Sequence, residues 1–332
     1  MGEDVRAGGR GVGCSVGAGF MVALIASGIS RPSWERIYRA AERPPIEQSW
    51  AYGQALETAY RRKVERVIAL SGDDEIGVAQ LCTWLQVGPF GLTTVTRGPV
   101  MSAAAGTREL ESAMMKEMAS RYRKWEGRFL MLSPEHADRD EATSMLASIG
   151  LRRVITGYTT SWLDLRPEAS AIRNGMDHGW RDGLRQGEAR VKRVVIENGG
   201  WNLRWLVDRH ESERKARKLS MPAGALVSAL VDSLPRKQDA LVATAIEGGE
   251  PIASVLVIRH GRAATYFASH SNAEGRKRRA HHVLLWRAIE RLREDGVAWL
   301  DLGGLDGKTM SGVTRFKLGL GGSVVTLTGS YM

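Results

Sequence analysis

Apolar and polar positions along this chain fall into one order of elements that occurs twice. From Asp239 onward the pattern predicts a strand over 241–246, a Gly-Gly turn, a strand over 252–259, a Gly261-Arg262 turn and a strand over 263–269. A basic loop leads into a predicted helix over 280–294, on which Leu285, Ile289 and Leu292 share a face. Gly296 supplies its C-terminal cap, and a strand over 297–302, a helix over 312–318 and a strand over 323–330 complete the set. The same order starts at Val64, with strands over 64–70, 77–86 and 92–97 and a helix over 107–125. A strand over 128–132, a helix over 140–148 and a strand over 153–164 follow. Repetition of one supersecondary order predicts two similar domains of α/β (α+β) type, each a mixed, mostly antiparallel sheet flanked by helices.

The expected boundaries are a Gly-rich extension over 1–30, a first domain over 31–166 and a second over 167–332. The extension has no periodicity and is expected to be disordered, with Met21 a candidate true start. Its apolar run, Val16–Ile29, is interrupted by Gly17, Gly19 and Gly28 and is too short for a membrane-spanning helix. Ser33 is the expected cap of a first helix, and Gln48-Ser49-Trp50 opens another. Basic helical segments are expected over 174–186 and 205–219, the latter reading as a solvated face.

A length of 332 residues accommodates two cores, and 43% hydrophobic with 25% charged residues is ordinary for a globular protein. A net charge of +10 favours anionic partners. An Arg-rich proteome would raise the charge equally. The cysteines, Cys14 and Cys82, lie far apart, which argues against a disulfide framework or a zinc site and points to a reducing, cytoplasmic compartment. Contact with the inner face of the plasma membrane is compatible with that placement.

The basic loop reads Asn272-Ala273-Glu274-Gly275-Arg276-Lys277-Arg278-Arg279-Ala280-His281-His282. A helix N-terminus presents free N–H groups to an anion, so Asn272, Arg276, Arg279 and His281 are candidate phosphate-binding residues. The alternative is a solvated loop. Adjacent His281 and His282 cannot chelate one metal together, and no metal is expected. The run from Leu302 to Thr309 misses the P-loop spacing, and no G-x-S-x-G elbow occurs. What remains is transfer chemistry carried by substrate positioning and charge stabilisation. The candidate residues are Asp301, on an otherwise apolar strand beside Gly303-Gly304, and Arg315 and Lys317, which flank Phe316. A salt bridge from Asp301 to Arg315 or Lys317 would explain the same residues structurally.

The run His281-His282-Leu284-Leu285-Trp286…Asp301-Leu302-Gly303-Gly304…Gly312-Val313…Arg315-Phe316-Lys317…Gly319 resembles the C-terminal signature of the Fem-type aminoacyltransferases of peptidoglycan interpeptide-bridge formation, within the GNAT superfamily. Gln48-Ser49-Trp50 and Arg97-Gly98-Pro99-Val100 resemble further elements of that family, and Trp180-Arg181…Leu184-Arg185 resembles the basic start of its second domain. The resemblance covers Pro45 to the C-terminus. It implies two tandem GNAT-like acyltransferase domains, an aminoacyl-tRNA donor and a peptidoglycan precursor, nucleotide- or lipid-linked, as amine acceptor. It places Lys317 on the lysine held to meet the substrate or transition state. Trp50, Arg97, Arg185, Tyr266, Gly303 and Gly304 are the expected substrate-binding residues. No cofactor is implied beyond the co-substrate. The long helical hairpin that some members use to contact tRNA is missing from the second domain, so a coenzyme A thioester remains an alternative donor, with a sugar or small amine as acceptor. A non-enzymatic RNA-binding protein is the reading from another class, and it would leave Asp301 and Lys317 dispensable.

Overall fold

The computed structural model describes residues 21–26, 28–219, 221–305 and 312–332. The expectation for residues 1–20 and the end of the P-loop-like run lie outside them. In the first half the order is β1 (Ala23–Ile25), α1 (Arg31–Ala40), α2 (Trp50–Tyr60), β2 (Lys63–Ser71), β3 (Asp74–Val87), β4 (Phe90–Thr96), β5 (Val100–Met101), α3 (Arg108–Ser120), β6 (Arg128–Ser133), α4 (Asp140–Ser148), β7 (Arg153–Ile155) and β8 (Thr159–Asp164). The second half continues with α5 (Ala169–Gly175), α6 (His178–Arg190), β9 (Arg193–Glu197), α7 (Gly200–Ala216), α8 (Gly224–Ser233), β10 (Ala240–Glu247), β11 (Glu250–His260) and β12 (Ala263–Ser271). It closes with α9 (Ala273–Lys277), α10 (Ala280–Glu294), β13 (Trp299–Asp301), α11 (Gly312–Leu318), β14 (Ser323–Thr326) and β15 (Ser330–Tyr331).

The predicted repeat is present in the topology. One sheet has the order β1-β2-β3-β4-β6-β15-β7, with β5 on β3, and the other β14-β8-β13-β12-β11-β10-β9. In each, three antiparallel strands lead through a helix (α3 or α10) to a strand parallel to the third: β6 beside β4, β13 beside β12. The last strand of each half then crosses over. β8 inserts between β13 and β14 of the second sheet, while β15 pairs with β6 and β7 of the first. Each half thus completes the other's sheet. The boundary expected at 166/167 follows β8 in sequence, yet both partners of β8 belong to the second sheet.

Several local expectations are corrected. The run 153–164 is two strands in different sheets, because residues 156–158 carry the chain from one to the other. Residues 23–25, placed in a disordered extension, form an edge strand on β2. The first helix is capped by Ser30, whose hydroxyl accepts from the Ser33 amide at 3.3 Å, with Pro32 in the first turn. Ser49 caps α2 as expected, accepting from the Tyr52 amide at 3.2 Å.

The core joins the halves. Ala51, Ala55 and Leu56 of α2 pack with Leu226, Val227 and Leu230 of α8 against Val242, Leu256 and Ile258 of the second sheet. On that sheet's other face, Leu184 of α6 and Leu284, Leu285 and Ile289 of α10 cover Val255, Val257 and Leu300. Methionines 114, 115 and 118 of α3 fill the core beneath the first sheet. A helix from the first half buried on the second sheet ties the halves through apolar area removed from water.

Candidate active site

A cleft of about 1200 Å³ runs between the halves, lined by Glu47, Arg97 and Tyr158 on one side and by residues of β12, α6, α10 and α11 on the other. Its floor is an ion cluster. Arg97 follows β4 in a left-handed conformation (φ 52°) and is 2% exposed. Its Nε and Nη2 donate to the two oxygens of Glu135 at 2.5 and 2.6 Å, and Nη1 donates to Asp301 Oδ2 at 2.5 Å. Glu47 Oε2 lies 3.5 Å from Nη1 without a hydrogen-bond partner. A single guanidinium therefore faces three carboxylates.

Gln48 and Gly98 hold Arg97 in place. Gln48 Nε2 donates to the Thr96 carbonyl at 2.8 Å, Gln48 Oε1 accepts from the Gln80 amide at 2.7 Å, and a Cβ on Gly98 would come within 2.7 Å of the Gln48 carboxamide. Gln48 of the Gln48-Ser49-Trp50 element thus packs on Gly98 and bonds the carbonyl of Thr96, the residue just before Arg97. Buried polar groups paired this fully rigidify what they touch.

Asp301, 0% exposed, is also saturated. Oδ1 accepts from the Thr160 hydroxyl at 2.7 Å and the Gly303 amide at 2.8 Å. Burial raises its pKa, but Arg97 and these donors outweigh that and hold the carboxyl below its usual range. Asp301 pairs with Arg97 of the first half, not with Arg315 or Lys317, which corrects the expected salt bridge. The same charges raise the Arg97 pKa further despite its burial. Glu47 differs: burial dominates and raises its pKa.

Lys317, on α11, donates from Nζ to the Gly304 carbonyl at 2.9 Å and lies over the Tyr266 ring at 5.9 Å. Gly303 takes φ 70°, a conformation natural to glycine, and this turn brings the Gly304 carbonyl to the lysine. Burial lowers the Lys317 pKa to about 8, with Asp301 acting in the opposite direction.

The basic loop divides. Arg278 is tied to Glu274 at 2.6 Å and Glu247 at 2.8 Å, and Arg276 donates to the Ser271 carbonyl. Arg279, at the N-cap of α10 with φ 58°, lines the cleft and has no side-chain partner among the described residues. No side chain caps α10 and its His282 amide bonds the Arg279 carbonyl, so the amides of Ala280 and His281 are the ones left for an anion beside this arginine. Both histidines line the cleft. His281 Nε2 donates to the His270 carbonyl at 3.1 Å, and burial lowers its pKa to about 4, so it offers a neutral imidazole and no positive charge. His282 lies 5.0 Å from the Trp180 ring and 5.0 Å from Phe316.

Arg97, Tyr266, Arg276, Arg279, His281, Asp301, Gly303, Gly304, Arg315 and Lys317 are thus gathered around one cleft. Trp50, Arg185 and Asn272 do not line it. Trp50 packs against Trp34 at 6.1 Å under the Arg66 guanidinium, Arg185 is an exposed partner of Asp182, and Asn272 caps α9 by accepting from the Gly275 amide. Glu47, Glu135, Tyr158 and Thr160 had no signal in local sequence. Their significance comes from approaching Arg97 or Asp301, which lie far from them in the chain.

Residues 170–318 match the family model of the acetyltransferase (GNAT) domain. The whole fold is similar to the crystal structure of FemX, with a TM-score of 0.77 at 14% identity over 93% of this chain and 96% of that one. A tandem GNAT protein from the clavulanic acid biosynthesis pathway is similar at TM-score 0.53 and 14% identity, covering 93% of this chain and 97% of that one. L-PGS from Bacillus licheniformis is similar at TM-score 0.53 and 13% identity, covering 86% of this chain and 87% of that one. No curated protein sequence matches. Residues 170–318 thus match a GNAT domain, and the whole chain has a tandem GNAT-like fold.

Proposed function

We propose that this protein is an aminoacyltransferase that joins an amino acid, supplied by an aminoacyl-tRNA, to a primary amine of a peptidoglycan precursor. The observation that carries this reading is the charge layout of the cleft. A cationic rim (Arg279, Arg276, Arg315) adjoins an open helix N-terminus, and an acidic floor (Glu47, Glu135, Asp301 around Arg97) lies opposite. The rim suits the phosphates of the donor and the floor suits an ammonium acceptor. Likeness to FemX across nearly the full length and the motif resemblance to the Fem-type family favour this donor and acceptor.

In the proposed reaction the acceptor ammonium gives a proton to Glu47, whose pKa is raised by burial where that of Asp301 is lowered. The amine nitrogen then attacks the acyl carbon, a C–N bond forms, and the carbonyl oxygen becomes an oxyanion that Lys317 stabilises. Collapse breaks the ester C–O bond, and the second nitrogen-bound proton leaves with the 3′-oxygen of the tRNA. Asp301 and Arg97 position the floor and stay in their charged forms.

An acyl-CoA donor is the second reading, supported by the family model for an acetyltransferase domain. Purified protein is incubated with charged tRNA or with acyl-CoA, each against nucleotide-linked and lipid-linked muropeptides. Amide formation from charged tRNA supports the proposal, and amide formation from acyl-CoA alone overturns it.

A further inference from the structure

The first sheet carries a projecting tip that the cleft chemistry does not use. β2 pairs with β3 only as far as Thr83, and β6 meets β4 first at Gly91, so residues 84–90 pair only within their own hairpin. Leu85 stands opposite Leu92, and Val87 opposite Phe90, which puts Leu85, Val87 and Phe90 on one face. All three are exposed, at 59%, 63% and 59%. A Cβ on Gly127 would come within 2.2 Å of the Phe90 ring, so Phe90 rests on the turn that carries Trp125, itself 79% exposed. Trp84, at the bulge between Thr83 and Leu85, is held at the root of the tip: Arg62 lies over its ring at 4.9 Å, and its Nε1 donates to Thr94 at 2.8 Å.

Cations surround the apolar face. Arg62 and Lys63 stand at the hairpin root and Arg123, Lys124 and Arg128 beside Trp125. The nearby carboxylate, Glu126, is engaged by Arg123 at 3.1 Å. We propose that this tip is an interfacial docking surface for an anionic lipid bilayer, with Leu85, Val87, Phe90 and Trp125 entering the headgroup boundary and the basic residues meeting lipid phosphates. Large apolar side chains that project from a basic ring match the interfacial pattern. A protein partner fits less well. The apolar set is small and sits on a narrow projection, whereas stable protein interfaces bury about 800 Å² per side and are depleted in lysine. Among the described residues no helix is long and apolar enough to cross a membrane, so attachment here would be peripheral. The tip lies at the end of β4 opposite Arg97, about 20 Å away at 3.3 Å per residue. Docking would therefore leave the cleft open. The inference is independent of which donor or acceptor the cleft takes.

The test is co-sedimentation of the full chain with phosphatidylcholine vesicles and with vesicles containing phosphatidylglycerol. Binding should require the anionic lipid, weaken as salt rises, and shift tryptophan emission to shorter wavelength. Leu85→Ser/Trp125→Ser should bind at least about tenfold more weakly, because interfacial affinity scales with buried apolar area. Arg123→Gln/Lys124→Gln should lose about fivefold per charge removed. These residues are exposed, and unchanged circular dichroism confirms that the variants fold. No binding of the unaltered chain to anionic vesicles overturns the proposal. So does equal binding by Leu85→Ser/Trp125→Ser, since the chain's general positive charge would then suffice.

Discussion

Arg97 and Asp301 are 204 positions apart in sequence and 2.5 Å apart in the structure, on strands or strand ends of different sheets. Both are almost wholly buried, and the pair sits where the two halves meet around the cleft. Because Arg97 also answers Glu135 and Glu47, removing either partner has unequal consequences. Arg97→Met leaves three carboxylates without a counter-charge and should cost about 3–5 kcal/mol. Asp301→Asn leaves Arg97 bound to Glu135 and should cost about 1–3 kcal/mol. Urea denaturation of both variants checks the order. Equal losses would mean that the cluster does not act as one unit.

Lys317→Met should lower turnover by roughly 10²–10³ while leaving the melting temperature close to that of the unaltered protein, the scale of one oxyanion donor. Methionine keeps much of the apolar stem contact and deletes the charge. Since Lys317 bonds the Gly304 carbonyl and Asp301 already has Arg97, stability should not depend on a Lys317–Asp301 pair. Turnover with both substrates saturating gives the readout. A near-normal rate would remove Lys317 from the chemistry.

If protonated Lys317 is the oxyanion partner, its pKa of about 8 sets an alkaline limit. The charged form predominates below that value and is lost above it, so kcat should fall as pH rises through about 8. In Lys317→Arg the guanidinium stays charged, and the limb should move to higher pH. An unmoved limb would assign the titration to another group.

His260 is buried between halves, with Nδ1 3.0 Å from the Tyr38 hydroxyl and Nε2 2.8 Å from the Thr265 hydroxyl, and burial lowers its pKa to about 3. Its ordinary value is 6.5, so between those values the unfolded chain takes up a proton that the folded chain refuses. Stability present above pH 6.5 should fall as pH drops through this window, by up to about 1.4 kcal/mol per pH unit from this residue. His260→Gln should flatten that part of the pH–stability curve. An unchanged slope would show that other groups control it.

Arg279→Ala should weaken donor binding and reduce the slope of log affinity against log salt by about one, the signature of a lost phosphate contact. Arg278→Ala should instead lower stability, because that guanidinium bridges Glu274 and Glu247. Titrations at several ionic strengths separate the two. A salt slope that stays the same without Arg279 would make it solvated surface only.

Elements with strong local signals were legible in sequence. The helices Asp140–Ser148, Ala280–Glu294 and Gly312–Leu318 have the expected bounds, since apolar periodicity and flanking glycines define them. The exchange of β8 and β15 was not legible, because strand pairing between distant segments leaves no mark on either one alone. α8 was missed for another reason: its alternation of small and apolar residues reflects burial against α2, a partner from the other half. The site shows the same division. Asp301 and Lys317 stood out as polar residues in apolar or aromatic surroundings. Glu47 looked like an ordinary acid before a helix, and only the approach of Arg97 gives it a role.

The central claim is that the acyl group comes from tRNA and ends on an amine. The most direct measurement follows a labelled amino acid from charged tRNA to a muropeptide with a free amine, with mass spectrometry of the product. The account predicts label in a new amide on the acceptor amine, abolished by ribonuclease treatment of the donor and strongly reduced in Lys317→Met. Label that stays on tRNA, while an acyl-CoA acylates the same acceptor, would contradict it.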